Sequence, residues 1–140
     1  MLDATDRRLL RAIQDNAQLT AQDLGEMLNL SPSQAGRRRQ RLEAAGIVTG
    51  ARAVVAPQGL GLHVQAFVQV QMKTHSAEID TSFVTLLRET PEVTAAFTLT
   101  GEADYLLRVW CEDLQALHRL IHGRLLPHPN VARVQSQIVM

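Results

Sequence analysis

Hydrophobic residues recur at helical spacing through the first part of the chain, in three separate segments. The first segment begins at Asp3, a good N-cap, and predicts a helix that runs to about Asn16. The second begins at Thr20, and the third runs from Ser31 to a stop at Gly46. The apolar residues of the first two helices are Leu9, Leu10, Ile13, Leu24, Met27 and Leu28.

The connection between the second and third helices is short. Asn29 and Leu30 form this turn, and three short helices with such a turn make a helix-turn-helix unit. Beyond it, Ile47–Val48 and Ala51–Val55 have the composition of short strands on either side of Gly50. The sequence therefore predicts the winged variant of the helix-turn-helix.

The spacing changes in the second half of the chain. A turn-rich stretch at 56–61 marks a boundary, and from His63 to Lys73 apolar and polar residues alternate, which predicts a strand. A helix is expected around Phe83, two strands at 92–100 and 104–111, a second helix that ends before Pro127, and a last strand at 131–140. The order β-α-β-β-α-β is that of a ferredoxin-like domain.

These elements predict an α+β protein with two domains. Residues 1–56 are expected to form a winged helix-turn-helix, 57–62 a hinge, and 63–140 a ferredoxin-like domain. Both helices of the second domain should cover one face of its sheet. The opposite face carries Phe67, Leu106 and Trp110 among polar residues, and this apolar surface predicts a symmetric dimer.

Composition changes this interpretation little. The chain has 140 residues, 46% of them hydrophobic, and zero formal net charge. Residues 1–56 nevertheless carry eight Arg against six Asp and Glu, so a small basic excess accompanies the helix-turn-helix. No apolar run is long enough to span a bilayer, no signal-peptide core begins the chain, and Cys111 is the only cysteine. We therefore expect a cytoplasmic protein without membrane attachment.

The third helix is strongly basic, since four of the five residues at 37–41 are arginine. Its polar front and basic back suit the recognition helix of a helix-turn-helix in the major groove of double-stranded DNA. Gln pairs well with adenine and Arg with guanine, while arginines on one helix side can hold phosphates. The candidate DNA contacts are Ser31, Ser33, Gln34, Arg37, Arg38 and Arg41.

Two plainer interpretations of this helix stay open. The whole segment can be a solvated basic helix without a nucleic-acid partner. Arg38 can also be a structural residue that pairs with an acid of the first helix, such as Asp6. For Arg39, a long charged side chain on the same helix, we expect the stem to lie along the core edge with the head in water.

A second candidate site is the loop Gly101–Asp104, between two predicted strands. Glycine allows close approach of a ligand, neighbouring N–H groups can bind a carboxylate, and Asp104 can accept an ammonium group. Gly101, Glu102, Ala103 and Asp104 are therefore the candidate effector-binding residues, for an amino acid or similar zwitterion. The alternative is a tight turn in which Asp104 bonds its own loop.

Other polar residues are weaker candidates. His118 and His122 lie four apart on a helix, which is metal-ligand spacing, but further ligands are needed and only His128 or Cys111 can supply them. We predict no metal site and no resident cofactor. Cys111 is expected to be a small core residue.

The motifs, in their order and spacing, resemble the Lrp/AsnC family of feast/famine transcription regulators over essentially the full length. The matching segments are Leu2-Asp3-x-x-Asp6-x-x-Leu9-Leu10, Leu30-Ser31-Pro32-Ser33, Arg38, Arg41-Leu42-Glu43, Gly46-Ile47-Val48-x-Gly50, Leu60-Gly61 and Gly101-x-x-Asp104-Tyr105-Leu106-Leu107. The resemblance implies a sequence-specific DNA-binding regulator that forms dimers and then octamers or similar discs. It also implies small-molecule effectors, usually amino acids, bound between dimers.

The sequence departs from the family pattern at several positions. Gly36 stands inside the recognition helix, where it costs about 1 kcal/mol of helix stability relative to alanine. Ala51 replaces a common tyrosine, and Glu102-Ala103 replaces residues common in the effector loop. Two other functions remain as alternatives: an enzyme like the haem-pathway decarboxylases that share this fold, and an effector-sensing partner subunit that does not bind DNA.

Overall fold

Each of the first three helices begins at a residue whose side chain caps it. In the computed structural model, which describes residues 1–140, α1 spans Ala4–Asp15, α2 spans Ala21–Leu28 and α3 spans Pro32–Ala44. Asp3, Thr20 and Ser31 each accept a hydrogen bond from the N–H three residues ahead, and the side chain at that position accepts one in return. These reciprocal caps fix the helix starts where the sequence predicts them.

The turn between α2 and α3 is tight because the two backbones approach each other closely. Asn29 adopts the left-handed conformation with φ 56°, and the N–H of Leu30 donates to the carbonyl of Gly25 at 2.9 Å. A Cβ at Gly25 would lie 2.6 Å from the carbonyl oxygen of Leu30. Only glycine therefore fits on this face of α2.

One apolar cluster holds the N-terminal unit together. Its buried members are Leu9, Ala12, Ile13, Leu24, Leu28, Ala35 and Leu42. The wing strands expected at Ile47–Val48 and Ala51–Val55 are not formed, and that prediction is wrong for this chain. The N–H groups of Ile47 and Val48 both donate to the Leu42 carbonyl and finish α3, while no other segment pairs with 51–55.

The C-terminal unit is the predicted α+β domain. Its sheet contains β1 (Val64–Met72), β2 (Val93–Thr98), β3 (Tyr105–Cys111) and β4 (Val131–Ile138) in the antiparallel order β2-β3-β1-β4. The register pairs Val68 with Leu107 and with Ser136. The even-numbered residues of β1 from 66 to 72 are buried in the core with residues of the helices, so they face the helices.

Both helices cover one face of this sheet. Helix α4 spans Ala77–Arg88, and α5 spans Leu114–Leu120 and continues as a π-helical turn over Ile121–Leu125. Phe83 is fully buried against Tyr105, with ring centroids 4.8 Å apart. The helix predicted to end before Pro127 is therefore present, but its last part is wider than an α-helix.

The chain divides into two compact units, Met1–Val54 and Val55–Met140. The segment predicted as a hinge, 57–62, contains a 3₁₀ turn at Pro57–Leu60 that ends at Gly61, where φ is 75°. None of the helices combines the length and the apolar character that crossing a bilayer requires.

Candidate DNA-binding surface and effector site

The predicted DNA contacts gather on one side of α3. Gln34, Arg37, Arg38 and Arg41 line a shallow groove of about 280 Å³ together with Leu30. The groove also lies near the front of the helix, where Gln34 bonds back to the cap: its Oε1 accepts from the N–H of Ser31 at 3.0 Å. This leaves the side-chain NH₂ group of Gln34 without a bond inside the chain.

The serines at the front of α3 serve the helix start. The hydroxyl of Ser31 accepts from the N–H of Gln34 at 3.2 Å and lies 3.2 Å from the hydroxyl of Ser33. Ser31 is therefore a structural cap, while Ser33 is exposed at the same end of the helix and retains hydrogen-bonding capacity.

Arg38 is held by two acids of the first helix. Its Nη1 donates to Asp3 Oδ2 at 2.7 Å and to Asp6 Oδ1 at 2.8 Å. Hydrogen bonds to Asp3 and Asp6 raise the pKa of Arg38, against the opposing effect of burial. The geometry thus supports the structural interpretation of Arg38, which the sequence had left as the alternative to a phosphate contact.

Arg41 shares the same carboxylate. Its Nη2 donates to Asp6 Oδ1 at 2.6 Å, while its side chain keeps 59% of its surface exposed. Burial acts to raise the pKa of Asp6, but hydrogen bonds from Arg38 and the backbone of Asp3, together with the charge of Arg41, outweigh it and lower that pKa. Asp6 consequently stays ionised between two guanidinium groups.

The remaining arginines of α3 differ in their partners. Arg39 donates to the carbonyls of Leu19 at 2.9 Å and Ala17 at 3.1 Å, and pairs with Glu43 at 3.0 Å. Its head is therefore bound to protein, and the expectation of a head in water is wrong. Arg37 is exposed and makes no hydrogen bond or ion pair within the chain. Among the four arginines, only Arg37 presents an uncommitted guanidinium.

The second candidate site is the loop between β2 and β3. Gly101 has φ 111°, which favours glycine, and nothing lies within 4 Å of a Cβ built there. Asp104 is tied to β1: its N–H donates to the Val70 carbonyl at 2.9 Å, and its Oδ2 accepts from the N–H of Met72 at 2.6 Å. Its Oδ1 lies 3.2 Å from His75 Nε2. One carboxylate oxygen of Asp104 is therefore bonded to β1, and the other lies beside His75.

The tip of this loop borders the outer face of the sheet, the face away from the helices. Glu102 and Ala103 line a small cavity of about 30 Å³ there. The other residues lining it are Gln69, Gln71, Arg133 and Gln135. Neither Glu102 nor Arg133 makes an ion pair in the chain, so an acid and a base face the same polar groove unpaired.

Sequence reasoning missed Arg133 and the glutamines of this groove. Their signal was the polar half of the alternation in β1 and β4, which places Gln71 opposite Arg133 and Gln69 opposite Gln135. Alternation alone could not show which strand end the loop would border.

The predicted dimer residues lie on the same outer face of the sheet. Phe67, Leu106 and Trp110 are each half-buried. Phe97 belongs to the same group, because the β2–β3 register pairs it with Leu106, and it is 54% exposed. Arg108 lies between them, opposite Phe67, and donates to the Thr94 hydroxyl at 3.0 Å. These apolar side chains therefore share the outer face with polar residues and with the tethered charge of Arg108.

The weaker candidates have structural surroundings. The rings of His118 and His122 stack with centroids 4.2 Å apart, and no group of three metal-ligating side chains occurs in the chain. Cys111 is buried in the core of the C-terminal unit, and burial raises the pKa of its thiol.

Two family models match the chain, one for each unit. A model described as winged helix-turn-helix DNA-binding matches residues 2–49, and one described as the Lrp/AsnC ligand-binding domain matches residues 65–140. The chain is also 36% identical over 140 residues to the DNA-binding transcriptional activator DecR of Escherichia coli, with 100% of this chain and 92% of that protein covered.

Solved structures show the same architecture. A transcriptional regulator of Neisseria meningitidis in complex with L-Met has a TM-score of 0.93 and 38% identity, covering 100% of this chain and 90% of that one. AsnC of E. coli has a TM-score of 0.86 and 29% identity, with coverage of 100% and 93%.

These similarities, together with the α3 groove and the ligand-binding unit, define a DNA-binding transcriptional regulator with a small-molecule-binding domain. The chain belongs to the Lrp/AsnC family, as its motifs predict.

Proposed function

We propose that the front of α3 reads the DNA sequence, with Arg37 as the principal base-reading residue and Gln34 and Ser33 beside it. The observation that carries this proposal is that Arg37 alone among the arginines of α3 lacks a partner in the chain. A free guanidinium at the front of a recognition helix is suited to bidentate contact with guanine. Arg41 then contributes to phosphate attraction from the back of the groove.

The test compares Arg37→Ala, Arg37→Lys and Arg41→Ala in binding titrations on a duplex selected from a random pool and on unselected duplexes. Arg37→Ala should cost about 1–3 kcal/mol on the selected duplex and reduce the preference for it. Arg37→Lys keeps the charge but loses the planar fork, so it should retain general affinity and lose preference. Arg41→Ala should weaken binding to both duplexes about equally, and by less than Arg37→Ala weakens binding to the selected one, because Asp6 already holds the Arg41 guanidinium. If Arg37→Ala leaves the preference intact, α3 does not read bases through this residue.

We further infer that an amino acid is the effector and that it binds at the loop 101–104. The groove at the loop tip offers an unpaired carboxylate and an unpaired guanidinium, which complement the ammonium and carboxylate of a zwitterion. Because Asp104 Oδ2 accepts from the backbone of β1 and Glu102 has no partner in the chain, we assign the ammonium to Glu102 and give Asp104 the role of fixing the loop. Gly101 and Ala103 leave space for the ligand backbone. A structural neighbour that holds L-Met supports this ligand class.

The cavity of about 30 Å³ accommodates little more than a polar head group, so the ligand side chain must lie against something else. We propose that a second copy supplies that wall, in an assembly that starts from a dimer on the Phe67, Leu106 and Trp110 face and grows to an octamer or similar disc. Closure between copies gives the ligand a different affinity for different assemblies, which is the requirement for a switch.

Calorimetry with the twenty amino acids tests the effector proposal. A neutral or basic amino acid should bind, and Glu102→Gln and Arg133→Gln should each weaken it by roughly tenfold, a typical loss for one charged hydrogen bond. Asp104→Asn keeps the size of the side chain and serves as the control, with a smaller loss. If only Asp104→Asn abolishes binding, the ammonium binds to Asp104. If no amino acid binds, the effector assignment is wrong.

We propose regulation without catalysis and without a resident cofactor, because the relatives of known function are regulators. Because its target is DNA, we expect the protein to work in the cytoplasm. Visible absorbance that persists in the purified protein would instead indicate a bound tetrapyrrole, as the decarboxylase alternative requires.

A further inference from the structure

The positive charge of α3 is mostly neutralised within the N-terminal unit. Three of its four guanidinium groups lie at bonding distance from three carboxylates, and Arg37 has none, which leaves about one positive charge in excess. The carboxylates belong to Asp3, Asp6 and Glu43. A helix that looks strongly basic in the sequence is therefore only weakly basic as a surface.

Asp6 occupies the centre of this arrangement. Its side chain is 1% exposed, and one oxygen accepts hydrogen bonds from both Arg38 at 2.8 Å and Arg41 at 2.6 Å. Its other oxygen accepts from the N–H of Asp3 and completes the cap of α1. Asp3, by contrast, is 52% exposed and reaches only Arg38. Asp6 is thus the one acid that restrains Arg41, whose head also borders the α3 groove.

We propose that Asp6 is a specificity-determining residue for DNA binding, because it limits the attraction of Arg38 and Arg41 for phosphates. Contacts to phosphates raise affinity for every sequence, whereas contacts to bases raise it only for the right one. By holding two arginines on one buried carboxylate, Asp6 leaves recognition to Arg37 and Gln34. This inference rests on the proposed role of α3 as the DNA-reading helix.

The primary experiment is Asp6→Asn in the full chain, titrated with a random-sequence duplex at several salt concentrations. Asparagine has nearly the same shape and can still cap α1, but it carries no charge. Arg41 is then free to bind phosphate, which should steepen the salt dependence by about one contact per chain. The affinity lost between 50 and 200 mM salt should grow about three- to fourfold, and the preference for a selected duplex over random duplexes should fall.

Asp3→Asn is the matched control. It removes the same charge from a neighbouring position, keeps a good N-cap, and leaves Asp6 between the two arginines. The salt dependence should change by clearly less than in Asp6→Asn. Equal effects of the two variants would mean that only the overall charge matters, and the proposal for Asp6 would be overturned.

A double-mutant cycle with Arg41→Gln identifies the arginine that is released. In the wild-type background Arg41→Gln should change the salt dependence little, and in the Asp6→Asn background it should remove most of the increase. Equal effects in both backgrounds would overturn the proposal.

If circular dichroism shows that Asp6→Asn does not fold, single variants in the wild-type background replace the double-mutant cycle. Arg41→Gln in the otherwise wild-type chain should then flatten the salt dependence by less than half of one contact, because Asp6 already holds this guanidinium. If Arg41→Gln flattens it by a full contact, Asp6 does not restrain Arg41. If neither Arg41→Gln nor Arg37→Ala alters binding to any duplex, the assignment of α3 as the DNA-reading helix fails as well, which separates the two failures.

Discussion

Gly25 and Gly36 lie inside adjacent helices of the N-terminal unit, and replacing each with alanine should shift stability in opposite directions. Alanine favours a helix over glycine by about 0.8–1.0 kcal/mol at either position. The difference between them comes from what the added methyl group meets. At Gly36 it would lie 3.7 Å from the Cβ of Ala21, an ordinary contact. Gly36→Ala should therefore stabilise the unit by about 0.5–1 kcal/mol.

The methyl group that Gly25→Ala adds would meet backbone atoms of residues 30–32. It would lie 2.6 Å from the Leu30 carbonyl oxygen and 3.3 Å from the backbone of Ser31 and Pro32. Relief requires the α2–α3 turn to open, which also strains the hydrogen bond from the Leu30 N–H to the Gly25 carbonyl. Overpacking of this kind costs about 1–3 kcal/mol, and rigid backbone places it at the upper end. After the helix gain, Gly25→Ala should destabilise by about 1–2 kcal/mol.

Two spectroscopic probes separate the units in urea or thermal unfolding of the full chain. All aromatic rings lie at or beyond Phe67, so Trp110 fluorescence reports the C-terminal unit. Far-UV circular dichroism reports helices, and three of them, of 12, 8 and 13 residues, belong to the N-terminal unit. The unfolding midpoint measured by circular dichroism should rise for Gly36→Ala and fall for Gly25→Ala, while the midpoint measured by fluorescence stays in place.

For a unit of this size, 1 kcal/mol corresponds to a shift of roughly 4–8 °C. A Gly25→Ala protein as stable as wild type would show that the turn adjusts freely and that close approach does not explain this glycine. Destabilisation by Gly36→Ala would refute the helix-propensity part of the reasoning, because nothing in the structure opposes a methyl group there.

Two further outcomes follow from the charges and from the sheet face. Because the folded-state pKa of Asp6 is lowered, its contribution to stability is present above the unfolded value of 3.8 and is lost as the pH falls through the folded pKa. The helical signal of the N-terminal unit should thus weaken in acid, and Asp6→Asn, less stable at neutral pH, should show a flatter acid dependence. Trp110→Glu and Phe67→Glu should each shift the mass measured by light scattering toward that of the monomer. Tyr105 in the core should stay buried in both variants, which shows that the domain is still folded. An unchanged mass in both would place the dimer contact on another surface.

Local chemistry made most of the fold predictable. The caps at Asp3, Thr20 and Ser31 are short-range signals, and each helix begins where its cap predicts. The alternation in β1 likewise identified both faces of the sheet, because one face is covered by helices. The strands predicted at 47–55 failed for the converse reason: a strand needs a hydrogen-bonded neighbour, and β-branched composition cannot supply one.

The candidate sites were less predictable, since side-chain partners come from distant parts of the chain. Arg39 donates to the carbonyls of Ala17 and Leu19, which lie 20 or more residues away in the sequence. No pattern within α3 predicts these hydrogen bonds. The side chain of Asp104 bonds to the neighbouring strand, a partner that its position in a glycine loop does not indicate. A charged group often has several chemically suitable partners in the sequence. The tertiary fold decides which of them comes close enough to bond.

The attachment of Asp104 has a consequence for how such a protein can change over evolution. Two bonds to β1 fix the base of the loop, while Gly101 and Glu102 at its tip are exposed and touch no part of the core. Substitutions at Glu102 can therefore accumulate without loss of the sheet, while Gly101, with φ 111°, keeps the turn, and ligand preference can diverge on an unaltered scaffold. The pair Glu102-Ala103, where this chain departs from its family, occupies the stretch on which such divergence costs least.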